Sequence, residues 1–360
     1  MTGSKTALIM AGGTGGHIFP GLAVAEALRA RGWRVHWLGA PASMEARIAA
    51  QHGFALESVT FSGVRGKGLA TLALLPLRLL RAFWQARAVL RRVQPDVLVG
   101  LGGYISFPGA LMGLLRRKPL VLHEQNAVAG LANRLLAGRA DRVFAAFPGA
   151  FGSSAVPKAR WVGNPLRAAF TQQAGPAERF AARTGPLQLL VMGGSLGARA
   201  LNELVPQALA LLPAAQRPQV LHQSGATQIE ALRAHYAAAG VQAELRPFID
   251  DVACALAAAD VIVCRAGAST VSEIAAVGAA ALFVPLPSAV DDHQTRNARW
   301  LVDAGGGWLL PQHELSPRGL AQMLSNLERP ALLDKALKAH AMQKTSATQE
   351  LVGACEELAA

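Results

Sequence analysis

The sequence predicts an α/β protein made of two Rossmann-like domains, each built on a parallel sheet. Three observations carry this expectation. Apolar runs of strand length alternate with helical stretches, and most of these runs end in glycine or polar residues. A strand feeding a glycine-rich turn and then a helix occurs twice, at 7–30 and at 187–212, so the chain reads as two tandem halves. Ligands of such sheets bind beyond the carboxyl ends of the strands, so both sheets are expected to face a central cleft.

In order along the chain, Ala7–Met10 reads as a short buried strand and AGGTGGHIFP at 11–20 as the turn that follows. A helix is expected over Gly21–Arg31, closed by Gly32. Arg34–Leu38 reads as a strand and Ser43–His52 as a helix ending at Gly53. Asp96–Gly100, Pro119–His123 and Arg142–Ala145 are further strands. Residues 171–186 carry no strand signal, and the linker falls within 163–186. The domains are therefore drawn as 1–165 and 166–340, each of ordinary domain size. In the second half, Leu187–Met192, Gln219–Gln223, Glu244–Pro247, Val261–Cys264 and Ala281–Pro285 read as strands. Val252–Ala259 and Ser269–Val277 read as helices, the latter closed by Gly278. Residues 330–360 read as helical, with the last part, 341–360, packing back on the first domain.

Composition narrows the class. Of 360 residues, 52% are hydrophobic and 16% charged, which indicates a globular chain with a large core. The formal net charge of +12 favours phosphorylated or polyanionic partners, or an anionic membrane surface. Cys254, Cys264 and Cys355 are odd in number and form no C-x-x-C pair, which argues against a disulfide framework or a zinc site and for a reducing cytoplasm. The amino terminus lacks the features of a signal peptide. Residues 69–93 are very apolar, but Pro76 and five arginines make them unfit to span a bilayer. At helical spacing, Leu79, Phe83, Ala86, Leu90 and Val93 share one face and Arg78, Arg81, Gln85 and Arg92 another. Two readings are open: a core-packed helix with a solvated basic face, or a helix lying on an anionic leaflet.

The glycine turns are tested against known chemistries. A dinucleotide fingerprint needs G-x-G-x-x-G and an acid after the second strand. Here Gly13 and Gly15 are followed by Ile18 at the third position, and the second strand ends Leu38-Gly39-Ala40. The lysine of a phosphate P-loop is also missing. What remains is a flexible strand-to-helix turn whose bare N–H groups suit an anion or sugar hydroxyls. The second turn, Gly193-Gly194-Ser195-Leu196-Gly197, matches the hydrolase elbow G-x-S-x-G. The acid and histidine available downstream, Asp291 and His293, lie in one loop, a poor way to build a serine relay, so Ser195 reads better as a diphosphate ligand.

Two more clusters end strands. His123-Glu124-Gln125-Asn126 brings polar groups to a strand's carboxyl end. The run CRAGASTVSE at 264–273 opens a helix, with Glu273 read in its first turn or so, either as a helix-terminus carboxylate or as an acceptor for a ribose diol. No D-x-D pair is present for a nucleotide-bound metal, so phosphate charge is expected to meet helix N-termini and arginine.

AGGTGGHIFP, SGVRGKG (62–68), GLGGYISFPG (100–109), HEQNAVAGLANR (123–134), VGNPLR (162–167), GGSLGAR (193–199) and CRAGASTVSE (264–273) closely resemble the motifs of the MurG family of bacterial N-acetylglucosaminyltransferases, in glycosyltransferase family 28. The matches run in order from about residue 7 to about 300. The resemblance implies a GT-B fold and an inverting hexosyltransferase without a cofactor or bound catalytic metal. The donor it implies is UDP-N-acetylglucosamine. The acceptor is the C4 hydroxyl of the muramoyl sugar of lipid I, and the product is the β-1,4-linked lipid II of peptidoglycan and cell-wall synthesis. It further implies a peripheral protein on the cytoplasmic face of the inner membrane, with no nucleic-acid partner and with other cell-wall and division proteins as partners. By the family's pattern Ile249 lies at the uracil. Ala268, Ser269, Thr270, Val271, Ser272 and Glu273 wrap the nucleoside, with Glu273 on the ribose. Ser195 and Arg167 face the diphosphate and Gln294 the sugar, while Thr14, Gly15, Gly16 and Asn126 of the first domain complete the donor site. Some members carry two glutamines where this chain has His293-Gln294, so only Gln294 is carried over.

An inverting transfer needs a base for the acceptor proton. His17 is the leading candidate, since histidine as a residue type titrates near neutral pH, and Glu124 is the rival. Docking on lipid I would engage Leu75, Arg78, Leu79, Arg81, Phe83 and Trp84. The competing classes are another UDP-N-acetylglucosamine enzyme of the same architecture, such as a 2-epimerase, a hydrolase using Ser195, and a non-catalytic nucleotide-sugar-binding protein.

Overall fold

The computed structural model describes residues 4–61, 74–152, 159–194 and 196–360. It falls into two compact units, Met1–Arg167 with Thr345–Ala360, and Ala168–Lys344.

The first unit alternates strand and helix: β1 (Thr6–Met10), α1 (Gly15–Ala30), β2 (Arg34–Gly39), α2 (Met44–Gln51), β3 (Ala55–Ser58), α3 (Leu75–Val93), β4 (Val97–Gly100), α4 (Ser106–Leu115), β5 (Leu120–Glu124), α5 (Leu131–Ala137), β6 (Arg142–Ala145) and β7 (Ala159–Trp161). All seven strands are parallel, in the order β3-β2-β1-β4-β5-β6-β7. The order reverses at β1, the switch point where ligands of such sheets gather. The two-residue period of β1 divides its side chains between two cores. Ala7 and Ile9 join α1, α2 and the C-terminal helix Ala347–Leu358, while Leu8 and Met10 join α3, α4 and α5.

The second unit continues with α6 (Pro176–Ala181), β8 (Gln188–Met192), α7 (Arg199–Ala210), β9 (Gln219–Gln223), α8 (Ile229–Ala239), β10 (Glu244–Arg246), α9 (Val252–Ala258), β11 (Val261–Cys264), α10 (Ala268–Val277), β12 (Ala280–Phe283), α11 (His293–Val302), β13 (Gly307–Leu309), α12 (Pro317–Ser325) and α13 (Arg329–Ala341). Its six parallel strands run β10-β9-β8-β11-β12-β13, with the reversal at β8.

Four sequence-based expectations are corrected. Helix α1 starts at Gly15, not Gly21. Extended Thr14 stands at its N-cap, and the Thr14 carbonyl accepts from the His17 and Ile18 amides at 3.0 and 3.1 Å. Pro20 is tolerated inside the helix because it sits so near the amino end that it removes a single helical bond. Glu273 is the sixth residue of α10, beyond the first turn, so it is not a helix-terminus carboxylate. The helical tail is two helices broken at 342–346; α13 packs on α10 and α6 in the second unit, and only the last helix joins the first. Finally, β3, β7 and β13 went unread: they are short edge strands with mostly exposed or half-buried side chains, so they lack the continuous buried apolar run that marks the central strands.

Helix α3 separates its apolar residues in a way its sequence did not. Ala82, Ala86, Val89, Leu90 and Val93 are buried. Leu75 and Leu79 pack against that core, and the Phe83 ring lies 6.3 Å from the Phe107 ring. Leu77, Leu80 and Trp84, 65%, 54% and 67% exposed, lie in solvent beside exposed Arg78 and Arg81. Three and four residues apart, they form one exposed apolar stripe. None of the described helices is long and apolar enough to cross a membrane.

Candidate active site

In the first unit the glycine turn after β1 becomes the first turn of α1. Gly15, Gly16 and His17 are its opening residues, so the Gly15 and Gly16 amides are among the N–H groups that a helix leaves without internal partners. His17 is half-buried and hydrogen-bonds through Nδ1 to Oε1 of Gln125 at 2.8 Å. Nε2 of Gln125 donates to Nδ1 of His123 at 3.1 Å and to the His123 carbonyl at 3.3 Å. Nε2 of His123 in turn donates to the Gly163 carbonyl at 2.8 Å. His123 and Gln125 are fully buried at the carboxyl end of β5. Burial pushes the His123 imidazole down to about 4, outweighing the bond to the Gly163 carbonyl, which pulls the other way, so its neutral form is strongly favoured.

Glu124, the alternative base, is buried and its carboxylate is engaged on both oxygens. Oε1 accepts from the amide and side chain of Asn126 at 2.9 and 3.3 Å. Oε2 accepts from the Gly130 amide at 3.0 Å and from Nδ2 of Asn133 at 2.8 Å. These bonds draw the 124–133 segment around one carboxylate and hold Asn126 at the strand end. Arg167, the last residue of the first unit's main segment, has its guanidinium 5.4 Å from the centre of the Phe19 ring of α1.

In the second unit Ser195 lies outside the described residues, as does the 62–68 motif of the first. The glycine loop on either side of Ser195 is fastened to the end of β9. Nε2 of Gln223 donates to the Gly194 carbonyl at 3.0 Å and to the Pro247 carbonyl at 3.2 Å, joining the loop to the segment that carries buried Ile249. A further chain runs beneath it. The Tyr236 hydroxyl meets Nδ1 of His222 at 2.9 Å, and Nε2 of His222 meets Oδ1 of Asn202 at 3.1 Å. Nδ2 of Asn202 donates to Oε1 of Gln228 at 3.0 Å, and Nε2 of Gln228 donates to the Leu196 carbonyl at 3.1 Å. Burial pushes His222 down to about 3, so it too is neutral. Gly197 has φ +77, and a Cβ there would lie 1.9 Å from the Ser224 carbonyl oxygen. Backbone meets backbone here, and only glycine fits.

Around α10, Ala268 and Val271 are buried, and Thr270, Ser272 and Glu273 are half-buried. Among the described residues the Ser269 hydroxyl, buried in the helix's first turn, has no hydrogen-bond partner. Oε1 of Gln294 accepts from the Ala266 and Leu286 amides at 3.3 and 2.9 Å, which presents the Gln294 side chain at the turn before α10. Nδ1 of His293 donates to the Val290 carbonyl at 2.7 Å.

His123, Gln125, Asn202, His222 and Gln228 went unassigned in the sequence. The run HEQN is the only local signal for the first two; nothing local points to the others. Both units thus carry a helix opened by a glycine-rich turn, suited to anions. The first adds an oriented imidazole, and the second adds an unpaired hydroxyl and an amide donor. This equipment fits a nucleotide-sugar transferase better than a serine hydrolase.

Comparison with known proteins agrees. The model of the glycosyltransferase family 28 N-terminal domain matches residues 7–145, and that of the C-terminal domain matches residues 188–352. A UDP-N-acetylglucosamine--N-acetylmuramyl-(pentapeptide) pyrophosphoryl-undecaprenol N-acetylglucosamine transferase from Verminephrobacter eiseniae (strain EF01-2) is 99% identical over 360 residues, covering 100% of both chains. A protein of the same name from Paracidovorax citrulli (strain AAC00-1) is 72% identical over 360 residues, again covering 100% of both. The crystal structure of Acinetobacter baumannii MurG matches with a TM-score of 0.83 at 39% identity, covering 98% of this chain and 99% of that one. With both domain models matched in order and such identity along its whole length, the chain belongs to glycosyltransferase family 28.

Proposed function

We propose that this glycosyltransferase moves N-acetylglucosamine from UDP-N-acetylglucosamine to the C4 hydroxyl of the N-acetylmuramoyl peptide of lipid I, forming lipid II. The anomeric centre is inverted and the new bond is β-1,4. The reading rests on the shared name of the full-length relatives, and the orientation of His17 carries the chemistry. With Nδ1 tied to Gln125, Nε2 takes the proton of the attacking hydroxyl as the C1–oxygen bond to the diphosphate breaks. The departing diphosphate gathers negative charge, which fixed N–H dipoles and an arginine stabilise without reorganising. Gly15 and Gly16, the loop around Ser195, and Arg167 are suited to this task, each charge-assisted bond contributing roughly 1.5–3 kcal/mol. Glu124 shapes the loop that holds Asn126 and Thr14 caps the glycine turn.

The second unit holds the donor. Ile249 meets the uracil, residues Ala268 to Ser272 surround the nucleoside, Glu273 accepts from the ribose diol, and the side-chain amide of Gln294 donates to the sugar. The unpaired Ser269 hydroxyl at the head of α10 supports this assignment, since a buried hydroxyl without a partner is costly until a ligand supplies one. The first unit takes the acceptor. Lipid I lies in the membrane, so the chain works as a peripheral protein on the cytoplasmic face of the inner membrane. The exposed stripe of Leu77, Leu80 and Trp84 enters the leaflet, and Arg78 and Arg81 meet its anionic headgroups. Leu75, Leu79 and Phe83 support the stripe from beneath. Other proteins of wall synthesis and division are its partners at that surface.

Labelled UDP-N-acetylglucosamine, incubated with and without a lipid I analogue, tests the function. Label should appear in the acceptor only when the analogue is present. Release of UDP without acceptor would overturn the proposal in favour of an epimerase or hydrolase, and binding without turnover would overturn it in favour of a carrier.

A further inference from the structure

We propose that His123 and Gln125 are positioning residues for His17: they fix it as the tautomer with hydrogen on Nδ1 and an unshared pair on Nε2. The inference rests on the reading of His17 as the base and deepens it. The tautomers are set from the far end of the chain of hydrogen bonds. The Gly163 carbonyl can only accept, so Nε2 of His123, 2.8 Å away, carries the hydrogen. His123 is fully buried and neutral, which leaves its Nδ1 bare, as an acceptor. Gln125 meets that atom with its NH2 group, whose donors also reach the His123 carbonyl. The amide oxygen of Gln125 is thereby turned to His17. That oxygen only accepts, so Nδ1 of His17, 2.8 Å away, must donate.

The opposite amide orientation fails at two points. It would set the Gln125 oxygen against the His123 carbonyl oxygen. It would also need a hydrogen on Nδ1 of His123, and so either a bare nitrogen facing the Gly163 carbonyl or a buried imidazolium. The frame around the relay is built to hold it. Nδ2 of Asn133 donates to the His123 carbonyl at 3.1 Å, and Nδ2 of Asn164 donates to the Gln125 carbonyl at 3.2 Å. Gly102, with φ +85, leaves the room: a Cβ there would stand 3.0 Å from Nδ1 of His17 and 3.4 Å from Oε1 of Gln125. The consequence for transfer is specific. A base must keep its lone pair on the nitrogen that faces the hydroxyl, and an imidazole free to exchange tautomers spends part of its time with a hydrogen there.

Nitrogen-15 NMR of the full chain, assigned through a His17→Gln variant, reads the tautomer directly. The expected result is a hydrogen-bearing Nδ1 and a bare Nε2 for His17; the reverse assignment, or averaged shifts, overturns the proposal. Gln125→Met keeps the bulk and removes the relay. In that variant the His17 shifts should average and kcat should fall at least about 10-fold, bounded by the roughly 10²–10⁴-fold cost of losing a general base. KM for UDP-N-acetylglucosamine should stay put. Unchanged kcat with averaged shifts, or a loss seen wholly in donor KM, overturns the positioning role. A variant that does not fold leaves the NMR result on the unaltered chain decisive. The base reading is judged separately: near-normal kcat in His17→Ala would sink it while leaving the tautomer result standing.

Discussion

Each unit ties a glycine turn to a buried, neutral histidine at the end of a strand, but the two ties finish on different groups. In the first unit the chain from His123 passes through Gln125 and ends on the imidazole of His17. In the second it passes from His222 through Asn202 and Gln228 and ends on the Leu196 carbonyl. A relay that ends on a titratable side chain sets where a proton goes. One that ends on backbone sets where a loop lies. On the proposed function, the same parallel-sheet architecture serves proton transfer in one half and donor placement in the other, and the difference lies in the last residue of each chain.

The largest expected effect breaks the comparison at its chemical end. His17→Ala should lower kcat by roughly 10²–10⁴-fold, with donor affinity little changed. Steady-state kinetics at saturating donor check it, and a kcat within a few-fold of the starting protein would place the base elsewhere.

Acid should then weaken both halves together. His123 and His222 titrate lower in the fold than the ordinary value of 6.5, at about 4 and about 3. Below 6.5 the unfolded chain takes up protons that the native chain refuses. Stability is therefore full above about pH 7 and falls as pH drops towards 4, by about 3 kcal/mol for each histidine. Urea unfolding between pH 7 and 4 measures this; a flat profile would mean that the two imidazoles are not buried as neutral groups.

Asn202→Leu sharpens the contrast from the other side. It leaves Nε2 of His222 and Oε1 of Gln228 without partners, at about 1–3 kcal/mol of stability. KM for the donor should rise while kcat holds, the opposite split from Gln125→Met. If kcat falls instead, the second relay also serves chemistry.

The smallest effect belongs to the surface. Replacing Arg78 or Arg81 by Gln should weaken binding to anionic vesicles by about 1 kcal/mol each and leave UDP binding intact. Binding that is unchanged, measured by co-sedimentation, would return α3 to an ordinary solvated face.

Legibility followed distance along the chain. Arg142–Ala145, Gln219–Gln223 and Val261–Cys264 were read to the residue, because buried parallel strands are short apolar runs bounded by polar signals. Helix α1 is expected too late because the glycine-rich run at 11–16 reads as a turn, while the extended Thr14 that starts the helix makes no side-chain cap. On α3 the apolar and basic positions are visible and Trp84 is rightly expected at the surface, yet periodicity alone does not say which side meets the sheet, so Leu75, Leu79 and Phe83 are expected outside where the stripe continues through Leu77 and Leu80.

The sequence by itself determined two parallel-sheet halves, the glycine turns at their strand ends, and the family, because strand period, turn chemistry and motif order are written in neighbouring residues. Only the tertiary structure decided what those turns are tied to. His17 and Gln125 are 108 residues apart, His123 and Gly163 are 40 apart, and Gln228 and Leu196 are 32 apart. Hydrogen bonds over such separations exist only after the strands have taken their order, and it is their direction, donor to acceptor, that places the proton in one half and the loop in the other.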